Sequence, residues 1–290
     1  MKNKKLKIIE CPRDAMQGIH DFIPTDLKAE YINSLLKVGF DTVDFGSFVS
    51  PKAIPQLKDT AKVLAQLDLE NTESELLAIV ANKRGGVDAC SFEEIKYLGF
   101  PFSVSETFQQ RNTNSSIEQS LSRVEEIQNL CVKNNKEMVV YLSMAFGNPY
   151  EDKWNVDIVA RWAEKLHKEL DINILSLSDT IGVSNPENIN YLFSTLIPEF
   201  DKVEFGAHLH TTPTTWEEKI NASVKSGCMR FDGAIKGYGG CPMATDDLTG
   251  NMATEKMIGY FEKNKIETGL DKQLFADSMN KSGAIFQEFI

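Results

Sequence analysis

A strict alternation of short β-rich runs with longer amphipathic stretches is the feature that most constrains the fold of these 290 residues. Because each β-rich run precedes a helix-like stretch, the order predicts parallel strands joined by helical crossovers. Eight such units follow one another without an obvious linker. The predicted strands are Leu6–Glu10, Thr42–Gly46, Glu75–Ala81, Pro101–Glu106, Met138–Ala145, Ile174–Asp179, Val203–His210 and Met229–Ile235.

The amphipathic stretches predict the helices that cover the sheet. Eight consecutive units favour a closed barrel over an open sheet, and no Gly-x-Gly-x-x-Gly motif follows the first strand to indicate dinucleotide binding. We therefore predict one α/β catalytic domain over residues 1–290, a (β/α)8 TIM barrel with a C-terminal helical extension. The clearest predicted helices are Thr25–Lys37, Ile117–Asn134, Val156–Leu170, Pro186–Ile197, Thr215–Ser226 and Asn251–Lys263.

Charge and cysteine content exclude several classes of protein. The net charge of −11 argues against a nucleic-acid partner, because phosphate binding needs a basic face. The five cysteines form no C-x-x-C pair, so we expect no disulfide framework and a cytoplasmic location. A run of about 18 apolar residues, which a membrane span would need, is not found in the sequence.

Reactive side chains at strand ends matter most here, since the active site of such a barrel lies at its C-terminal rim. Arg13 and Asp14 follow the first strand, where they can serve chemistry or form a surface ion pair or a turn. Asp44 near the end of the second strand and Asp179 at the end of the sixth can orient Arg13 or a substrate hydroxyl. Either can equally cap the turn that follows it.

His208 and His210 end the seventh strand two residues apart, so both imidazoles point to one face. Imidazole is a common metal ligand, and a pair at this spacing indicates part of a metal site more strongly than a lone histidine does. The alternative is a pair of histidines that are hydrogen-bonded to protein neighbours at the barrel mouth. His20 and His167 have no such partner and are interpreted as surface or loop residues.

A glycine-rich loop after the eighth strand contains Cys241, and Asn251 lies shortly after that loop. The glycines permit a tight turn that can bring Cys241 over the barrel mouth, although an unreactive loop thiol is the more common case. Asn251 can bind a metal ion or cap the helix predicted to follow it.

Closure of the barrel brings these distant segments together, because the first strand then neighbours the eighth and the eighth neighbours the seventh. One carboxylate, two imidazoles and one amide oxygen form a mixed set that suits a divalent ion such as Mg2+ or Mn2+. We therefore predict a single metal site at the rim, with the ligands Asp14, His208, His210 and Asn251.

At these residues the sequence resembles hydroxymethylglutaryl-CoA lyase, along nearly the whole chain. The Arg-Asp and His-x-His elements are shared with a wider barrel superfamily that includes isopropylmalate and homocitrate synthases, whereas the Gly-Gly-Cys-Pro loop is more specific to the lyase. The matching segments are Pro12-Arg13-Asp14-x-x-Gln17, Ser47-Phe48-Val49-Ser50-Pro51-Lys52, Gly147-x-Pro149-Tyr150-Glu151, Asp179-Thr180-Ile181-Gly182-Val183, His208-x-His210, Gly239-Gly240-Cys241-Pro242 and Gly250-Asn251-x-Ala253-Thr254-Glu255.

The resemblance implies a retro-Claisen cleavage of 3-hydroxy-3-methylglutaryl-CoA to acetoacetate and acetyl-CoA. The metal would bind the substrate's hydroxyl and carboxylate oxygens, with Asp14 and His208 as candidate bases. Arg13 would hold the thioester oxygen, and Cys241 would protonate the enolate as general acid. The resemblance also implies an acyl-CoA substrate and a homodimer, and we expect substrate contacts from Gln17, Asp44, Asp179 and Glu255.

Three departures from the family pattern bear on the acyl group. Asp44 stands where the family usually has glutamate, Asn148 replaces a frequent cysteine, and the residues after His210 read Thr211-Thr212-Pro213-Thr214 instead of Asp-Thr-Tyr-Gly. Two other functions therefore remain: a Claisen synthase or aldolase on the same barrel, and a non-catalytic barrel that binds acyl-CoA or a partner protein.

Overall fold

Eight parallel strands form the centre of the molecule. The computed structural model describes residues 5–240 and 249–289. The strands are β1 (Lys7–Glu10), β2 (Thr42–Ser47), β3 (Glu75–Ile79), β4 (Ile95–Ser103), β5 (Glu137–Ser143), β6 (Ile174–Asp179), β7 (Glu204–Thr211) and β8 (Arg230–Gly233). Each strand pairs with the next, β8 pairs with β1, and β6 pairs with β7, so the sheet closes on itself. The predicted (β/α)8 barrel is confirmed.

The helices surround this barrel. Those in the described ranges are α1 (Pro12–Gln17), α2 (Thr25–Leu36), α3 (Thr60–Leu64), α4 (Lys83–Cys90), α5 (Glu106–Thr113), α6 (Ile117–Lys133), α7 (Val156–Leu170), α8 (Pro186–Glu199), α9 (Trp216–Lys225), α10 (Thr254–Lys263) and α11 (Lys272–Phe289). None of these helices combines the length and the apolar character that crossing a membrane would require.

Local sequence signals explain where several helices begin. The Asn155 side chain accepts a hydrogen bond from the Ile158 backbone N–H at 2.9 Å, which satisfies a free donor in the first turn of α7. Ser116 and Gln119 form a reciprocal capping box at the start of α6. These caps lie at the helix starts that the sequence predicts.

The fourth strand is the element whose prediction fails most clearly. The range Pro101–Glu106 is wrong, because β4 spans Ile95–Ser103 and pairs with β5 from Tyr97 onward. Gly99 and Pro101 conceal the strand in the sequence, since both residue types are uncommon inside strands.

The helix predicted to start at Asn251 is also wrong at its first residues, since α10 begins at Thr254. Asn251 instead lies in a two-residue strand, β9 (Gly250–Asn251), which pairs antiparallel with the end of β7. The pairing places Asn251 directly opposite His210 and so brings the segment before α10 to the rim.

The barrel interior has an apolar side and a polar side. Inward-pointing residues from β3 to β6 form a separate apolar cluster, which consists of Leu77, Ile79, Tyr97, Val139, Tyr141 and Ile174. On β7 and β8 the same alternation turns His208, Arg230 and Asp232 inward. The rings of Tyr141 and His208 meet edge to face across the interior, with centroids 5.6 Å apart. Functional groups therefore concentrate on one wall of the barrel.

Candidate active site

Arg13 and Asp14 lie on α1, the short helix that leaves β1 at the C-terminal rim. Pro12 opens this helix, where its missing N–H leaves no helical hydrogen bond unmade. Arg13 donates from Nε and Nη2 to Asp44 Oδ2, at 3.0 and 2.5 Å, and from Nη1 to Asp14 Oδ1 at 2.8 Å. Asp44 on β2 therefore orients Arg13, which is one of the roles that the sequence left open.

Asp14, His208 and His210 form the centre of the site. Each side chain offers one ligand atom, and the three atoms lie within 4.8 Å of one another. Both histidines project from the end of β7, as their spacing predicts, and their ring centroids are 5.6 Å apart. Three of the four predicted ligands therefore lie close together, and each offers an atom that can bind a metal ion.

The surroundings shift the pKa values of the site residues in different directions. Burial alone would raise the pKa of Asp14, but the charges of Arg13 and His208 outweigh it and lower the pKa below its usual value. Burial lowers the pKa of His210 to about 4. For Asp44 the burial effect dominates and raises the pKa to about 6, although Arg13 opposes the rise. A carboxylate and a neutral imidazole are the forms in which Asp14 and His210 can bind a metal ion.

The donor set also fits a metal ion on geometric grounds. His210 Nδ1 is buried and makes no hydrogen bond to the described residues. Leaving such a nitrogen unpaired costs free energy, which a partner of either kind, a hydrogen-bond donor or a metal ion, would recover. Two imidazoles beside one carboxylate are common metal ligands. The cluster of Asp14, His208 and His210 is therefore a possible metal-binding group.

Asn251 lies against this cluster. Its Nδ2 donates to Asp14 Oδ2 at 2.7 Å and to the Tyr238 carbonyl oxygen at 2.8 Å. Because Nδ2 faces the carboxylate, and a metal would need the amide oxygen, the ligand role of Asn251 stays a prediction.

The loop after β8 approaches the site closely because it contains Gly239. This residue has a φ of +83°, which L side chains rarely adopt. A Cβ at this position would lie 2.7 Å from the Asp14 carbonyl oxygen and 2.9 Å from Asn251 Nδ2. Tyr238 stacks on Phe286 of α11 at a centroid distance of 4.2 Å, so the C-terminal helix supports the same loop.

The remaining predicted site residues differ in position. Gln17 lies beside the cluster and donates to Asp14 Oδ1 at 2.7 Å. Glu255, in the first turn of α10, accepts from the Lys236 backbone N–H at 2.9 Å. Asp179 is 1% exposed and accepts hydrogen bonds from Ser184 and Lys219. Their substrate contacts stay predictions, and Cys241 lies outside the described residues.

Asp232 is a site residue that the sequence did not predict. This residue lies on β8 directly opposite His208 on β7, and its Oδ2 is 3.0 Å from His208 Nδ1. Its signal in the sequence is a carboxylate within a short strand that is buried throughout. Buried carboxylates normally have a specific partner. Asp232 extends the site from the rim into the barrel interior.

The closed barrel and the rim cluster define a class: (β/α)8-barrel proteins with a candidate divalent-metal site beside a buried arginine. Within that class, the chain belongs to the HMGL-like family, whose model matches residues 5–280. The match covers every barrel strand and both candidate histidines.

The similar proteins of known name and known structure include lyases of this kind. The chain is 35% identical to a hydroxymethylglutaryl-CoA lyase of Bacillus subtilis, over 94% of this chain and 91% of that protein. It is 30% identical to a 3-hydroxy-3-isohexenylglutaryl-CoA/hydroxymethylglutaryl-CoA lyase of Pseudomonas aeruginosa, over 97% and 93%. An HMG-CoA lyase structure from Acinetobacter baumannii, in complex with coenzyme A and 3-methylmalate, superposes with a TM-score of 0.88 at 28% identity, over 97% and 91%.

Proposed function

We propose that this protein cleaves 3-hydroxy-3-methylglutaryl-CoA to acetoacetate and acetyl-CoA, with one divalent ion, Mg2+ or Mn2+, at the rim. The observation that carries the proposal is the convergence of Asp14, His208 and His210 within 4.8 Å beside Arg13. Relatives of similar length carry this activity in their names, and one solved relative holds coenzyme A. The homodimer and the cytoplasmic location expected from the sequence stay predictions.

Asp14, His208 and His210 are the residues that would hold the ion, with Asn251 as the fourth proposed ligand. When bound, a divalent ion supplies Lewis-acid polarisation of the substrate's oxygens. Asp14 and His208 are the candidate bases for the proton of the tertiary hydroxyl, and His208 can take it only through a ring nitrogen that is not bound to the ion. Loss of that proton lets the hydroxyl carbon become a ketone while the bond to the thioester α-carbon breaks.

Arg13 meets the charge that develops on the thioester oxygen. Its hydrogen bonds to Asp44, Asp14 and Gln17 use Nε, both protons of Nη1 and one of Nη2. A guanidinium has five N–H donors, so one N–H on Nη2 makes no hydrogen bond to the described residues and can serve an incoming oxygen. A fixed, buried cation stabilises an enolate oxygen without having to reorganise during the reaction. The resemblance assigns the final protonation of the enolate carbon to Cys241.

The test is an acetoacetate assay on 3-hydroxy-3-methylglutaryl-CoA with Mg2+, Mn2+ or EDTA. The proposal predicts acetoacetate and acetyl-CoA in equal amounts, loss of activity with EDTA and recovery with either ion. A second arm uses 3-hydroxy-3-isohexenylglutaryl-CoA, which tests the acyl group. Formation of a 2-alkylmalate from acetyl-CoA and a 2-oxo acid, with no cleavage of either thioester, would overturn the proposal in favour of a synthase.

A variant separates a lyase from a non-catalytic acyl-CoA-binding barrel. Cys241→Ala should lower turnover by several orders of magnitude, on the order of 10³-fold for a lost general acid, while Mn2+ binding stays at the wild-type level. Cys90→Ala is a matched control, because Cys90 ends α4 away from the rim cluster. Equal turnover in the wild type and Cys241→Ala would contradict the assigned proton donor.

A further inference from the structure

The Nδ1 nitrogen of His208 has a carboxylate partner, Asp232. The backbone register of β7 and β8 sets His208 opposite Asp232, and both side chains point into the barrel. His208 Nδ1 and Asp232 Oδ2 are 3.0 Å apart, and the Asp232 side chain is 1% exposed. This contact is therefore shielded from solvent and fixed by the sheet itself.

We propose that Asp232 is a positioning residue that holds His208 in its Nδ1–H tautomer, so that the Nε2 lone pair is kept for the ion or the proton at the rim. The inference rests on the proposed metal site. A carboxylate only accepts hydrogen bonds, so the proton of this contact belongs to Nδ1. A neutral imidazole carries one ring proton, and Nε2 is then the nitrogen with the lone pair.

Other groups around Asp232 favour this arrangement. Ser176 Oγ donates to the same Oδ2 at 3.4 Å, so a second donor holds that oxygen in place. Arg230 lies two residues earlier on β8 and is fully buried, which puts a permanent positive charge on the same inner wall. Asp232 Oδ1 has no hydrogen-bond partner among the described residues. Asp232 therefore contacts His208 through Oδ2, and it forms no ion pair with any other described residue.

His210 provides an internal contrast on the same strand. Its Nδ1 makes no hydrogen bond to the described residues, so no carboxylate holds this nitrogen in the way that Asp232 holds His208 Nδ1. The two imidazoles are neighbours, yet of the two only His208 has a hydrogen bond to a carboxylate among the described residues. Metal-binding histidines commonly donate their second ring nitrogen to a carboxylate, and loss of that partner typically lowers metal affinity or activity about 10- to 100-fold.

The test is NMR of metal-free protein labelled with 13C and 15N at histidine, at a pH where the rings are neutral. The chain has four histidines, His20, His167, His208 and His210, so single substitutions suffice to assign the signals. The proposal predicts the Nδ1–H tautomer for His208 in the wild type. In Asp232→Asn the amide can donate to Nδ1, so the Nε2–H tautomer should become populated.

The same variants are titrated with Mn2+ by calorimetry. Asp232→Asn should bind Mn2+ about 10- to 100-fold more weakly than the wild type, and Asp232→Glu, which keeps a carboxylate acceptor, should recover part of that loss. Asp59→Asn is the matched control, because Asp59 is a buried carboxylate paired with Lys28 outside the site. This control should keep the wild-type tautomer and Mn2+ affinity.

Each outcome decides the assignment. An Nε2–H tautomer for His208 in the wild type overturns it, as does an unchanged tautomer and Mn2+ affinity in Asp232→Asn. If the tautomer and affinity behave as expected but no acetoacetate forms, the positioning role stands and the proposed function fails. If Asp232→Asn does not fold, the wild-type spectrum and Asp232→Glu still decide.

Discussion

Two acidic clusters lie at the C-terminal ends of the barrel strands, one around Asp14 and one around Asp179. Asp179 ends β6, where Lys219 donates to its Oδ2 at 2.8 Å and Ser184 donates through both its backbone N–H and its hydroxyl. Lys219 also donates to the His210 carbonyl oxygen at 2.8 Å. The Asp179 side chain is fully buried. This cluster is an internally satisfied ion pair that fixes the backbone next to the site.

The Asp14 cluster has a different composition. Asp14 accepts hydrogen bonds from Arg13, Gln17 and Asn251, but it also faces two imidazoles, one of which has a buried nitrogen without a described partner. Position at a strand end therefore does not by itself distinguish the two acids. Each carboxylate accepts three hydrogen bonds from the described residues, and the two differ in their neighbours: Asp14 faces two imidazoles, whereas Asp179 is paired with the buried Lys219.

The largest expected effect follows from Asp14→Asn. The substitution removes one of the two carboxylates that pair with Arg13, and this carboxylate is the only one in the candidate metal group of Asp14, His208 and His210. Since Lewis-acid catalysis contributes several kcal/mol and each 1.4 kcal/mol is tenfold, activity should fall on the order of 10³-fold. Steady-state acetoacetate formation checks this, and activity within threefold of wild type would remove Asp14 from the site.

The same change at Asp179 should act on stability instead. Asp179→Asn leaves Lys219 buried without its counter-charge, which typically destabilises a protein by about 3–5 kcal/mol. Urea denaturation should show this loss, while Mn2+ affinity of the folded variant stays within a few-fold of wild type. A large rise in KM with little loss of stability would instead support the substrate contact that the sequence predicts for Asp179.

The difference between these two acids could not be read from the sequence. Asp14 and Asp179 both follow a buried strand, and the lysine that pairs with Asp179 lies 40 positions further along the chain. The two histidines could be predicted because strand periodicity fixes which side chains share a face. The barrel could be predicted for the same reason, since the hydrophobic patterns of its eight units are local.

Other parts of the site depend on contacts that leave no periodic signal. Asn251 reaches the rim through β9, a two-residue strand, which is too short to show an alternating pattern. Asp232 matters because of its register opposite His208, and register between β7 and β8 is set only when the barrel closes. Asp44 could be expected to orient Arg13, but the competing role as a turn cap was equally consistent with the sequence.

A pH-dependent effect is expected from the support beneath the loop after β8. Glu10, at the end of β1, accepts hydrogen bonds from the Ile235 backbone N–H at 2.9 Å and from Thr254 Oγ1 at 2.6 Å. Burial raises the pKa of Glu10 to about 8, so between pH 4.5 and 8 the folded state binds a proton that the unfolded chain has released. The free energy of unfolding contributed by Glu10 must therefore fall as pH rises through this window.

Glu10→Gln removes this titration. The wild type should lose more stability than the variant between pH 5 and pH 8, so the difference between their urea midpoints should change steadily with pH. Parallel curves for the two proteins would show that Glu10 titrates alike in the folded and unfolded states.

We propose that Asp14, His208 and His210 bind one divalent ion, and the decisive experiment is a Mn2+ titration of the wild type and His210→Ala. We expect one Mn2+ per chain in the wild type. In His210→Ala the Mn2+ affinity should fall at least about tenfold, since a direct ligand should matter no less than a supporting residue. Unchanged Mn2+ affinity in His210→Ala would contradict the assignment of this cluster as the metal site.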